Sequence, residues 1–365
     1  MASKTAKSKI TNKHKALGII FMIAGLLLFA YMVEKAGPGE IIAGIRRLGW
    51  AFGIVFLLGG FRQAVHAYCW VKCCEPPYKL RFMDAFRARL MGEAVGNIVP
   101  LGGLFSEPSK PLFIRDRIPL MVGISALAIE NVFYALSVAL FISAGALALL
   151  LSFPLPQSLR YVSIGALVGF VIIVPAGAIV IRKQLRFISG ALGFLGNRGI
   201  AAGKISSILP RARTIEDRIY SFYERNHARF FLILLIECFF HIAGVVEAYV
   251  TLYFISHLIP PTLMAAFILE SVNRLINVVF KFIPLRIGVD EGGTGKVASL
   301  LGLTRTTGVT LAIVRKARDI CWTAIGVALI VRRGISLRKA AGEGEEIMDE
   351  LSSDDALAVS AGDRG

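Results

Sequence analysis

Between Ile118 and Leu151 the chain runs for 34 residues with a single charged side chain, Glu130. A helix crosses bilayer hydrocarbon in about 17–25 residues, so this run is long enough to span with a tilt and a turn or two to spare. No convincing turn interrupts it, and it reads as one helix. Further apolar runs lie at Ala16–Val33, Trp50–Cys69, Tyr161–Ile181, Phe230–Phe254, Pro261–Phe282 and Gly308–Val331. The alternation of an outer-membrane strand is absent. These runs predict an all-α polytopic membrane protein with about seven full transmembrane helices. They lie in one transmembrane domain, residues 16–335, between a basic N-terminus, residues 1–15, and an acidic disordered tail, residues 340–365.

Charge sets the orientation. The chain carries a net +16, although the segment Glu343–Gly365 holds eight acidic residues against one arginine. Arg182–Arg229 has ten Lys/Arg against three acidic residues, and Val71–Leu90 has five against two. Ser152–Leu159 is uncharged before its end at Arg160, as is Ile255–Pro261. Basic segments stay in the cytoplasm and face anionic lipid, which accounts for the positive excess without nucleic acid. With both termini inside, parity then requires Phe82–Arg117 to begin and end on the cytoplasmic side and Pro261–Arg305 to enter and leave from the outside. Each of these pieces carries a related stretch, PLGGLFSE (Pro100–Glu107) and PLRIGVDE (Pro284–Glu291). The expectation is two re-entrant helical hairpins in an inverted repeat, with Pro100 and Pro284 at their breaks and Gly102, Gly103, Gly288, Gly292 and Gly293 letting the backbone bend. Within the basic cytoplasmic 182–229 segment, Gly193–Arg229 is expected to lie as an amphipathic helix on the membrane surface, with Ile205, Ile208, Leu209, Tyr220 and Phe222 as its apolar contacts.

Ionisable groups inside spans are costly, so each needs a reason. The candidates are Glu93, Glu107, Glu130, Glu237, His241, Glu247, Glu270, Arg274, Asp290, Glu291, Arg315, Arg318 and Asp319. Glu270–Arg274, Arg315–Asp319 and Glu237–His241 are each four apart, a spacing that suits local pairing on one helix face. Glu107 and Glu291 hold matching positions in the two hairpins and are expected to meet in a shared polar cavity. Arg315 and Arg318 follow on the next helix, where guanidinium forks suit phosphate oxygens. A binding site for a polar lipid headgroup therefore draws on Glu107, Glu291, Arg315, Arg318, Glu130, Arg274, Asp290 and Asp319.

Other chemistry is hard to find. There is no Walker loop, nucleophile elbow or zincin helix. IGVDEGGTG lacks the strand–helix unit of a dinucleotide fingerprint. Cys69, Cys73, Cys74, Cys238 and Cys321 form neither a disulfide framework nor a zinc signature. No cofactor, no metal and no catalytic residue is expected.

The stretches NIVPLGGLFSEPSK (Asn97–Lys110), ALAIENVFYAL (Ala126–Leu136), SVNRLINVVFKFIPLRIGVDEGG (Ser271–Gly293) and LGLTRTTGVTLAIVRKARD (Leu301–Asp319) carry a resemblance. The chain resembles the membrane domain of lysylphosphatidylglycerol synthases and their stand-alone, flippase-like relatives, and in its EGG, LGL and arginine pair the branch associated with hopanoid biosynthesis. The resemblance implies a bacterial inner-membrane protein that moves a polar-headed lipid between leaflets, with membrane lipids as its partners. The alternative it implies is a membrane partner of a lipid- or glycan-modifying transferase. Glu107, Glu291, Arg315 and Arg318 fall on family motif positions. One departure stands out: relatives usually carry arginine after the acidic residue of the third span, where this chain has Asn131. No aminoacyl-transferase domain follows, so lysyl transfer is not expected.

Overall fold

The computed structural model describes residues 34, 38–98, 103–198, 202–256, 261–281, 283 and 286–333. Among them all regular structure is helical: α1 (Pro38–Leu48), α2 (Ala51–Cys73), α3 (Phe82–Ile98), α4 (Gly103–Leu112), α5 (Leu120–Ser152), α6 (Gln157–Arg182), α7 (Phe187–Asn197), α8 (Ala202–Arg225), α9 (His227–Ile255), α10 (Leu263–Val279), α11 (Val289–Leu300) and α12 (Arg305–Arg332). The expected first span, both terminal segments, and Pro100, Gly102 and Pro284 lie outside the described residues.

Four helices are long and apolar enough to cross a bilayer: α2, α5, α6 and α9. The Ile118–Leu151 run is one helix of 33 residues, starting after Pro119. At about 1.5 Å per residue it is roughly 50 Å long, more than the hydrocarbon requires. On α6 the side chains of Val171, Ile172 and Ile173 are each more than 60% exposed, a surface suited to lipid. The last two expected spans differ from that pattern. Helix α10 has only 17 residues. Helix α12 has 28, but carries Arg315, Lys316, Arg318 and Asp319 in its middle. Both turn their polar residues toward the protein interior rather than toward lipid.

Two helix–break–helix units stand where parity asks for irregular segments: α3 with α4, and α10 with α11. Within each unit the two helices pack together. Helix α4 stops after ten residues, with Pro108 and Pro111 inside it, each removing a backbone donor. Gly288 precedes α11 at φ 84°, a left-handed turn that suits glycine. Gly292 and Gly293, expected at a bend, are instead within α11.

Glycine elsewhere sets the helix spacing, as small residues do where apolar helices pack. A Cβ at Gly326 of α12 would overlap the Leu90 carbonyl of α3, and one at Gly60 of α2 the Trp322 ring of α12. That ring stacks on Phe56 at 4.7 Å and donates its indole N–H to the Phe56 carbonyl at 3.0 Å.

The amphipathic helix expected within Gly193–Arg229 is present as α8, and a shorter helix, α7, precedes it in the basic 182–229 segment. The two are joined by Ser189 Oγ donating to Glu216 at 2.6 Å and Tyr220 donating to the Leu185 carbonyl at 2.5 Å. Phe222 is 1% exposed and packs edge-on against Phe133 of α5. Tyr220 and Ile205 are buried too, so much of the apolar face meets the protein's own helices.

Candidate functional site

Stripes of α2, α3, α5, α10 and α12 face a common cavity of about 680 Å³. On α2 the lining residues are Gly59, Arg62, Gln63 and His66, and on α12 they are Arg315, Lys316, Arg318, Asp319, Trp322 and Thr323. Both sets repeat every three to four positions, the spacing of one helix face. Helix α5 contributes Asn131, Tyr134, Ala135, Val138, Ala139 and Ile142, a stripe that passes from polar to apolar. Eight Lys/Arg side chains line the cavity against four carboxylates.

Such a cationic wall in an apolar bundle needs buried counter-charge. It comes from carboxylates behind the arginines. Glu270 of α10 is 1% exposed and accepts from Arg274 Nε at 3.0 Å, Arg315 Nη2 at 2.7 Å and Asn273 Nδ2 at 3.2 Å, with Arg62 Nη2 3.5 Å away. Gly244 of α9 makes room, since a Cβ there would come within 2.6 Å of the Glu270 carboxylate. Glu247 of α9, also 1% exposed, accepts from Arg62 Nη1 at 3.1 Å and from Arg318. Phe240 lies under two of these cations, 4.4 Å from Arg62 Cζ and 4.8 Å from Arg274 Cζ, adding a favourable ring–cation contact. Arg62 Nε and Arg315 Nη1 have no acceptor among the described residues.

Of the eight residues expected to form the site, Glu107, Arg274, Asp290, Arg315, Arg318 and Asp319 line the cavity. Glu130 and Glu291 do not. Glu291 is fully buried and caps its own helix, accepting from the Gly288 backbone N–H at 2.7 Å, while its other oxygen meets Lys316 at 2.8 Å. The matched pair Glu107 and Glu291 therefore does not share a pocket. An acid at the third helical position reaches back to the free amides of the first turn, and that local demand claims Glu291. Glu107 has a different environment, held by Lys110 Nζ at 2.7 Å and Asn131 Nδ2 at 3.2 Å. Glu130 sits behind the wall, 2.7 Å from His66 Nδ1 and 3.4 Å from Arg89 Nη1.

The expected local pairs are only partly kept. Glu270 does pair with Arg274. Arg315 goes to Glu270, and Asp319 instead accepts from Arg318 at 2.7 Å and faces Arg286 at 3.7 Å. Glu237 and His241 diverge: Glu237 faces His66, and His241 Nε2 is 3.1 Å from Ser137 Oγ with its ring stacked on Phe141. Sequence reasoning missed Arg62, His66, Arg89, Lys110 and Lys316. For the first two a signal existed, because Arg62 and His66 stand four apart inside an otherwise apolar span.

Comparison with curated proteins and with solved structures returns no match. Residues 16–326, by contrast, match the lysylphosphatidylglycerol synthase TM region. With its long apolar helices and that match over most of its length, the chain is an integral membrane protein and belongs to the lysylphosphatidylglycerol synthase TM region family.

Proposed function

We propose that the protein is a lipid translocase that takes a phosphate-bearing headgroup into the cavity and passes it between leaflets of a bacterial inner membrane. The observation that carries this reading is the cavity wall: Arg62, Arg274, Arg315 and Arg318 are presented on one side by buried carboxylates. Guanidinium forks match phosphate oxygens, and in an enclosed polar cavity their attraction is little screened. The volume suits a headgroup. The apolar end of the α5 stripe, at Val138, Ala139 and Ile142, gives acyl chains a wall they can follow without leaving an oily environment. No nucleotide site is part of this reading, and the energy source would be a gradient of lipid or ions.

In the same reading the units α3–α4 and α10–α11 are re-entrant and enter from opposite faces, with both termini cytoplasmic. Single cysteines test this. In a background lacking the native cysteines, Tyr78→Cys should react with an impermeant maleimide only from the cytoplasmic side, and Ser158→Cys only from the other. Labelling of both from one side would sink the inverted arrangement.

For transport, the test is dithionite quenching of a fluorescent anionic phospholipid in proteoliposomes. Wild-type protein should expose the inner-leaflet lipid. Arg315→Gln removes a charge-assisted contact worth about 1.5–3 kcal/mol, so exchange should slow roughly tenfold or more, and Glu107→Gln should also slow it. Cys238→Ser, at an exposed position, is the control. Exchange no faster than in protein-free vesicles would end the translocase reading and leave a membrane partner of a lipid-modifying transferase in its place.

A further inference from the structure

Charge is unevenly divided around the cavity. On the α10–α12 side, six cations (Arg62, Arg274, Arg286, Arg315, Lys316, Arg318) face five carboxylates (Glu247, Glu270, Asp290, Glu291, Asp319). Beside it Glu93, Glu107, Glu130 and Glu237 lie with Arg89, Lys110 and the basic ring of His66, so the acids outnumber the permanent cations four to two. Lys281 approaches Glu107 from an exposed position, where water weakens its effect.

The imbalance centres on three helices. His66 of α2, Glu130 of α5 and Glu237 of α9 are 5%, 1% and 0% exposed. One ligand atom from each lies within 4.8 Å of the others. His66 Nδ1 is 2.7 Å from Glu130 Oε1 and 3.4 Å from Glu237 Oε1. Neither Glu237 oxygen, nor Glu130 Oε2, has a hydrogen-bond partner of good geometry among the described residues. Glu237 faces the His66 ring and the weakly polar thiol of Cys69, one turn along α2. A fully buried carboxylate met only by a long imidazole contact and a thiol is expensive unless a stronger cation sits against it.

We propose that His66, Glu130 and Glu237 form a binding site for one divalent first-row transition-metal ion. The donor set selects the class: imidazole with carboxylate, and a thiol nearby, suits Zn(II), Fe(II) or Co(II), whereas Mg(II) and Ca(II) prefer all-oxygen shells. Metal–ligand bonds of about 2.0–2.2 Å in a tetrahedron put donors roughly 3.3–3.6 Å apart. The His66–Glu237 contact at 3.4 Å already has that spacing and the His66–Glu130 contact at 2.7 Å is shorter, so side-chain rotations must open the second. The ion supplies positive charge to the two buried carboxylates, and Arg89 stays within the field of Glu107 and Glu93. His66 lines the cavity, which gives the ion a way in. A site built from side chains of three facing helices also ties α2, α5 and α9 together. The inference holds whether or not the cavity carries lipid.

The full chain in nanodiscs, stripped with chelator and titrated with Co(II), supplies the test. Wild-type protein should show visible ligand-field absorption that saturates at one equivalent and is displaced by Zn(II). Loss of even an outer-shell partner weakens metal sites about 10–100-fold, so Glu237→Gln and His66→Gln should weaken binding at least tenfold. No stoichiometric absorption in the wild type overturns the site, as does an unchanged titration in either variant. Should the variants fail to fold, X-ray absorption on the loaded wild type still decides. A mixed imidazole–carboxylate shell supports the site, and a shell without imidazole overturns it.

Discussion

Glu270→Gln should be the most damaging conservative substitution in the protein. The carboxylate is 1% exposed and meets guanidinium groups from three helices: Arg62 of α2, Arg274 of α10 and Arg315 of α12. The amide is isosteric, so packing survives and the effect isolates charge. It removes the shared counter-ion, leaving Arg274 and Arg315 without a carboxylate, and its NH2 group points a donor at donors. Breaking a buried ion pair by removing one partner costs about 3–5 kcal/mol, and here one removal strands more than one cation. The expected result is loss of thermal stability large enough to lower the yield of monodisperse protein, read by a fluorescence melt of the purified chain. The double variant Glu270→Gln/Arg315→Met should regain part of that loss, because it withdraws one of the stranded charges. If the single variant melts like the wild type, the carboxylate is not what holds these helices together.

Much of this fold was legible from hydropathy. The runs at Trp50–Cys69, Ile118–Leu151, Tyr161–Ile181 and Phe230–Phe254 correspond to α2, α5, α6 and α9, since a long apolar helix announces itself by length alone. Parity picked out the two helix–break–helix units for a similar reason: basic segments constrain which ends share a side. Pairing was much less legible. Spacing of four on a helix suggested Arg315 with Asp319, but such proximity is permissive only, and Arg315 instead reaches a carboxylate 45 residues earlier. The partners of Arg62 lie about two hundred residues away, on α9 and α10, where no local pattern points. Lys110 and Arg89 were passed over because basic residues between spans read as cytoplasmic flanks, yet Lys110 is completely buried. Motif likeness misled once. The common acid of the two PL stretches lines the cavity in one copy and caps a helix in the other, because α11 begins at Val289, two residues before its acid, while α4 begins at Gly103, four residues before Glu107.

The buried lysine gives the second large effect. Lys110 reaches Glu107 at 2.7 Å and, across to α3, Glu93 at 2.8 Å. Its stem fills the space left by Gly92, where a Cβ would overlap it. Helix α4 is short: ten residues and two internal prolines leave few backbone hydrogen bonds, and Ser109 Oγ spends its donor on the Ser106 carbonyl at 2.9 Å. Lys110→Met keeps the stem and removes the charge. Two carboxylates then face each other across the α3–α4 contact without their shared cation, at a cost below the about 3–5 kcal/mol of a fully buried orphan because both are about a third exposed and Glu107 keeps Asn131. The expected outcome is local release of α4, seen as faster amide hydrogen exchange over Gly103–Leu112, together with a lower melting temperature. Adding Glu93→Gln to Lys110→Met removes the repulsion and should restore slow exchange in α4 without restoring the lysine. Fast exchange that persists in the double variant would mean that the lysine holds α4 by filling space rather than by its charge.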